Sequence, residues 1–317
     1  MKILWRAMLV LVVLLAAAGA VFYFNPLWVA DQQVRFQLWR EGVRSEYVDA
    51  GGYRLHYFEA GPTSGAPLLL IHGLGARGED WSRLLPALAA GGFHIYAPDL
   101  PGYGRSSRPA DADYSITMEE NAVVAFAQAM HLSHTFVGGW SMGGWVAMKL
   151  TLDHPAMVDR LVLYDSAGVY FPANFGAELF VPSDASGITR LMKMLSPHTE
   201  PLPGFVMRDI LRKFEQNGWV IERSMRAMTS GHDLLDFRLH DLRQPTLIVW
   251  GSMDHLIPLT VGRRIHQLIP NSSLSVIEGC GHLAPLECWS PVAKTTEEFL
   301  DAQPAVVDQE KTLQAAR

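Results

Sequence analysis

Cysteine is almost missing from this chain: Cys280 and Cys288 are the only two among 317 residues. That scarcity excludes a disulfide scaffold and any four-cysteine zinc site. The pair fits one small loop around His282 and fits two unpaired buried thiols equally well. Grouped basic residues are also lacking. With a formal net charge of −6 and no Lys/Arg cluster, the chain offers no phosphate-binding face for nucleic acid. Charged residues make up 18% against 49% hydrophobic, so the composition is that of a globular protein on the apolar side. The length suffices for one large core, or for a core with an insertion.

The long apolar run stands at the N-terminus. Lys2 and Arg6 precede an uncharged stretch from Ala7 to Ala30, most apolar between Met8 and Phe24. About 20 apolar residues cross a bilayer core, whereas the core of a cleaved signal has about 7–15. Phe22, Tyr23, Phe24 and Trp28 at its end suit a membrane interface. Residues 1–30 are therefore expected to be an uncleaved single-span membrane anchor. Ala18-Gly19-Ala20 resembles a cleavage site and leaves a secreted or periplasmic product as the alternative. Arg35, Arg40 and Arg44 balance Lys2 and Arg6 across the span, so the positive-inside rule gives no orientation.

Beyond an amphipathic connector over 31–45, short apolar runs alternate with helical spacings. Glu46–Ala50 and Arg54–Glu59 flank Gly51-Gly52 as a hairpin. Leu68–Ile71, His94–Ala97, Thr135–Val137, Arg160–Tyr164, Thr246–Trp250 and Leu274–Ile277 read as buried strands. Helices are expected at Trp81–Ala89, Thr117–His131 (with Thr117 as N-cap), Met142–His154, Thr260–Leu268 and Pro291–Leu300. The alternation predicts an α/β core over 46–168 and 242–301, a mostly parallel sheet covered on both faces. Residues 169–241 break it: proline-punctuated helical patterns at Gly187–Leu195, Phe205–Phe214 and Trp219–Met228 predict a helical cap. Its Phe171, Phe175, Phe180, Met192, Met194, Leu195, Phe205 and Met207 suit an acyl pocket. Residues 302–317 read as a flexible tail.

Chemistry concentrates in the turns after the strands. Gly139-Trp140-Ser141-Met142-Gly143 lies between a strand and a helix, the setting of a nucleophile elbow with Ser141 raised above the sheet. A serine needs a base oriented by an acid. His282, in Gly279-Cys280-Gly281-His282 after the last strand, is the expected base. Asp254, after the strand Thr246–Trp250, is the expected acid, with Asp165 after the preceding strand as its competitor. The order Ser, Asp, His is that of the elbow enzymes. Backbone N–H groups of Met142 and of Leu74, in His72-Gly73-Leu74-Gly75, are the expected oxyanion donors. Gly73 and Trp140 are expected to touch substrate. His72 reads as a structural hydrogen-bonder, and the turn Asp99 to Ser106 as architecture.

Together these segments resemble the α/β-hydrolase superfamily over about Glu46 to Leu300. Within it the chain looks like membrane-anchored monoacylglycerol-lipase-like esterases and small bacterial lipases, on Ser141-Met142-Gly143-Gly144, Asp165-Ser166-Ala167-Gly168, Gly281-His282 and the N-terminal span. The resemblance implies an α/β-hydrolase fold and hydrolysis of carboxylic esters with lipid-like acyl chains, without metal or cofactor. The same fold leaves three alternatives: a C–C bond hydrolase of ring-cleavage products, a proline-type aminopeptidase, and a non-catalytic ligand-binding homologue.

Overall fold

A computed structural model describes residues 2–303 and 309–315. It opens with α1 (Lys2–Phe24) and α2 (Pro26–Arg40). The hairpin β1 (Arg44–Ala50) and β2 (Tyr53–Ala60) is followed by β3 (Pro67–Ile71), α3 (Leu84–Ala90) and β4 (His94–Pro98). Then come α4 (Ile116–Ala129), β5 (Thr135–Trp140), α5 (Met142–Asp153) and β6 (Val158–Tyr164). An insertion carries α6 (Ala185–Leu195) and α7 (Gly204–Thr229). The chain returns through β7 (Thr246–Gly251), α8 (Leu259–Leu268), β8 (Ser272–Glu278), α9 (Ala284–Glu287), α10 (Trp289–Asp301) and β9 (Glu310–Gln314).

Among the described residues, nine strands form one sheet in the order β1-β2-β4-β3-β5-β6-β7-β8-β9. β2 pairs antiparallel with β1 and β4, and every later pair is parallel. Alternation along a strand sends Leu69 and Ile71 to one face, with α4, α5 and α8, while Leu68 and Leu70 join the core under α3 and α10. Both faces are dry, which is why these strands read as continuous apolar runs. After β3 the chain crosses outward to β4, then back to β5 on the other flank of β3. Open α/β sheets bind ligands outside the strand ends at such a reversal.

Several boundaries differ from the sequence expectation. The N-terminal apolar helix stops at Phe24, because Pro26 forbids helical backbone at Asn25, and α2 restarts at once instead of beginning near residue 31. Ser115, whose hydroxyl accepts the Met118 N–H, caps α4 in place of Thr117. The two expected cap helices at Phe205–Phe214 and Trp219–Met228 are one continuous α7. The tail expected to be loose supplies β9, where Leu274–Glu278 pairs with Glu310–Gln314. A polar strand suffices there because the backbone does the pairing at a solvent-exposed edge, and Leu313 alone packs inward. Residues 304–308 and 316–317 of that tail lie outside the described residues.

α1 is long enough, at about 1.5 Å per residue, to cross a bilayer core, and none of its residues is buried against the fold. Its foot is fixed to the insertion. Phe205 of α7 packs between Phe22 and Tyr23, and Arg208 lies over the Tyr23 ring. Asp209 accepts the Leu27 N–H at 3.0 Å.

Glu119 of α4 is fully buried, and neither carboxyl oxygen has a partner among the described residues. Burial first, and repulsion from Asp113 second, raise its pKa well above the ordinary carboxylate value. The folded state thus holds a proton that the unfolded chain releases, so stability falls as pH rises from that ordinary value towards the folded one. Glu119→Gln is expected to match wild type near pH 4 and to be more stable by about 1–3 kcal/mol at pH 8. Denaturant titrations at the two pH values test this; an equal offset at both would refute it.

Candidate active site

The serine turn is built by backbone geometry. Ser141 links β5 to α5 with φ +56° and ψ −118°, a left-handed conformation that a non-glycine residue holds only when its surroundings impose it. They do. Ser141 N–H donates to Tyr164 O, and Ser141 O accepts from Gly144 and Ala167 N–H. A Cβ on Gly139 would overlap the Gly143 backbone, and one on Gly143 would overlap Ile71 O. Those two glycines let β5, α5 and β3 close to backbone contact under the serine.

His282 arrives from the loop after β8. Its Nδ1 pairs with Asp254 Oδ2 at 2.8 Å, and both side chains are buried. Asp254 Oδ1 accepts the Leu256 and Ile257 N–H groups, each at 2.8 Å, which fixes the carboxylate's plane. Trp140 Nε1–H donates to His282 O at 2.9 Å and holds the loop from the β5 side. Cys280 and Cys288 form a disulfide that closes the loop carrying His282, so the unpaired-thiol alternative is excluded. Ser141 and His282 line one cavity but are not hydrogen-bonded to each other in this structure. Such bonds often tighten only when substrate is bound. With Nδ1–H given to Asp254, the imidazole can present Nε2 as an acceptor towards the serine side.

The loop after β3 faces the serine. His72 is wholly buried; its Nδ1–H donates to Gly73 O at 2.8 Å and its Nε2 accepts the Leu100 N–H at 3.0 Å. Both bonds need the neutral imidazole, and burial lowers its pKa accordingly. A ring occupied on both nitrogens cannot serve as a base, and it pins the Gly73-Leu74 turn. Among the described residues, neither Leu74 N–H nor Met142 N–H is taken by another protein acceptor. The turn beyond β4 is held the same way. Asp99 accepts Gly78 and Arg105 N–H and pairs with His56 Nδ1; burial would raise its pKa, but these partners bring it below the ordinary value.

Two cavities meet at Ser141, Leu74, Phe180 and Leu256. The larger, about 400 Å³, is walled by Trp145, Phe171, Phe175, Met225 and Met228 and holds no charged side chain among the described residues. The other, about 240 Å³, contains Gly73, Trp140, His282 and the cap residues Leu191 and Leu195. It runs through Gly75, Ala76, Asp80, Phe214 and Ile221 into a third, of about 310 Å³, which reaches Leu27 and Asp31 at the foot of α1. Of the cap residues singled out in sequence, Phe171, Phe175, Phe180 and Leu195 line the serine's cavities, whereas Phe205 packs on α1. Met225 and Met228 were not singled out, although their spacing on α7 matches one helical face. Asp80 was not foreseen either. It sits at the cavity junction, where desolvation pushes its pKa up to about 6 against the pull of Arg77.

Residues 66–287 match the family model described as alpha/beta hydrolase fold. The chain is 32% identical over 271 residues to a 2-hydroxymuconate semialdehyde hydrolase of Pseudomonas putida, covering 79% of this chain and 92% of that protein. It is 29% identical over 276 residues to lipase 1 of Psychrobacter immobilis, covering 80% and 84%. Among solved structures, a bacterial membrane phospholipase A superposes with a TM-score of 0.80 at 28% identity, over 95% of this chain and 98% of that one.

An added Cβ on Gly73 would stand 3.0 Å from Ser141 Cβ and 3.1 Å from Trp140 O. Gly73→Ala should therefore shift the serine by tenths of an ångström and lower turnover of a p-nitrophenyl ester about 10- to 100-fold, with thermal stability nearly unchanged. Unaltered turnover would show that the turn has slack.

Proposed function

The chain belongs to the α/β-hydrolase fold family, and on that premise we propose that it hydrolyses carboxylic esters of lipid-like acyl chains through an acyl-enzyme on Ser141. In the first step Ser141 Oγ attacks the ester carbonyl while His282 takes its proton, and Asp254 steadies the resulting imidazolium. Leu74 and Met142 N–H bind the oxyanion. His282 then protonates the leaving alcohol, and afterwards activates a water that releases the acid. No metal or cofactor is needed by this sequence of steps.

The observation that carries the reading is the uncharged cavity of about 400 Å³ beginning at Ser141. An acyl chain is neutral and apolar, and such a wall favours it over polar alternatives. The cavities on either side of Ser141 are lined by no Lys or Arg among the described residues. A ring-cleavage dienoate would find no basic side chain in these two cavities, and its carboxylate would have to reach Arg77, Arg108 and Lys213 in the third cavity beyond Asp80, which ranks C–C bond hydrolysis second. The cap residues at the cavity include no acid to clamp a peptide ammonium, which argues against an aminopeptidase. Lipase and phospholipase relatives agree in kind with an acyl substrate.

We read α1 as a membrane anchor that sets the domain beside its substrate. The Cys280–Cys288 disulfide supports the oxidising side of that membrane for the domain.

Ser141→Ala is expected to lower hydrolysis of long-chain monoacylglycerols and p-nitrophenyl esters by about 10⁴-fold and to abolish fluorophosphonate labelling. Labelling absent from the wild-type protein would favour a ligand-binding homologue. Asp80 gains its charge through about pH 6, so hydrolysis of an anionic ester relative to a neutral one should fall about fivefold between pH 5 and 7.5. Asp80→Asn should flatten that ratio. In freshly isolated membranes neither cysteine should be alkylated before reduction, and reduction should cost the fold about 2–3 kcal/mol. Prompt alkylation of both would place the domain on the reducing side.

A further inference from the structure

A second carboxyl lies close behind Asp254, and the hydrolytic steps above make no use of it. Asp165 follows β6 directly and is wholly buried. We infer that Asp165 is a positioning residue, whose carboxyl ties the end of β6 to the end of β7 and so sets where Asp254 meets His282. This rests on the reading of Ser141, His282 and Asp254 as a catalytic triad.

Two bonds make the tie. Asp165 N–H donates to Val249 O at 3.0 Å, and Asp165 Oδ1 accepts the Gly251 N–H at 2.7 Å. Gly251 ends β7, and the chain reaches Asp254 through Ser252 and Met253 alone. The grip therefore acts on a very short lever. Asp165 also holds φ +44°, a left-handed conformation that Asp and Asn tolerate better than other side chains. A strained, buried residue at the root of a functional loop is held there by its surroundings, and here they are the β7 backbone.

The protonation state follows from the neighbours. Asp254 accepts three N–H groups, from Leu256, Ile257 and His282 Nδ1, which is the environment of a carboxylate. Asp165 accepts one, and its Oδ2 is buried with no partner among the described residues. Ser166, the next residue, turns its hydroxyl to Ala167 O instead. The charged group that faces Asp165 is Asp254, so burial and then like charge both raise its pKa well above the carboxylate range. Two adjacent carboxyls can share a site only if one keeps its proton. Asp165 is the one that keeps it, and it leaves the negative charge beside His282 undisturbed.

A neutral clamp should be replaceable by its amide. Asparagine keeps a carbonyl for Gly251 N–H and tolerates the same φ. In the full-length protein in detergent, Asp165→Asn should hold kcat and KM for p-nitrophenyl octanoate within about threefold of wild type. Asp165→Ala should lower kcat about 10- to 100-fold with KM within about twofold, and slow fluorophosphonate labelling to match. Added to Asp254→Ala, the Asp165→Ala change should cost less than about threefold more, because the group it positions is gone. A full multiplicative loss in that double variant would overturn the inference. So would an Asp165→Asn variant that loses more than about tenfold, a result that needs no folded Asp165→Ala. If Asp254→Ala alone leaves turnover intact, the triad reading fails, which is a separate outcome.

Discussion

The left-handed turn at Ser141 constrains nearly everything near it. A side chain at φ +56° projects its hydroxyl away from the strand it ends and the helix it begins, and that backbone survives only under outside restraint. The restraint comes from three neighbouring segments: Tyr164 at the end of β6, Ala167 beyond it, and the Ile71 and His72 carbonyls, at and just past the end of β3, that lie against Gly143. Because β3 and β5 are adjacent, the same closeness puts the Gly73-Leu74 turn opposite the serine. One strained residue and its glycines therefore fix the spacing of two loops that are far apart in sequence.

Buried polar groups around this turn are sorted by what their partners demand. His72 is pinned neutral by one bond given and one received. Asp99 collects enough donors to stay charged without water. Glu119 has no donor among the described residues and Asp165 a single one, and burial keeps them protonated. Four side chains of ordinary acid and base type thus hold four settled states. His72, Asp99 and Asp165 serve as hydrogen-bonding parts of the architecture, whereas Glu119 makes no such bond among the described residues.

The core was legible in sequence because strands dry on both faces must be short apolar runs, and Leu68–Ile71 and Thr246–Trp250 say so without ambiguity. The turns were legible through glycine and chain order, which is how Ser141, Asp254 and His282 could be offered as candidates before the Asp254–His282 pair and the cavity at Ser141 were in view. What escaped was whatever depends on distance. No local pattern shows that Asn217-Gly218 stays helical inside α7, that Cys280 reaches Cys288, or that Asp80 stands at a cavity junction. β9 escaped for another reason: an edge strand is chosen by free backbone groups on its neighbour, and Glu310–Gln314 carries no apolar alternation to announce it.

The break at Asn25-Pro26 has a mechanical consequence. α1 and α2 are separate rods joined by a non-helical residue, and both touch α7, so the insertion is braced against the long apolar rod. With α1 in a bilayer, α2 spans about 22 Å at 1.5 Å per residue, too short a tether to reach another membrane. On the proposed reading, the cavity mouth at Ser141 then samples only the leaflet in which α1 is set. For a molecule held in that way the quantity that governs encounter is molecules of the proposed ester per unit area, and diluting the vesicles would leave its rate unchanged while diluting the ester within them would not.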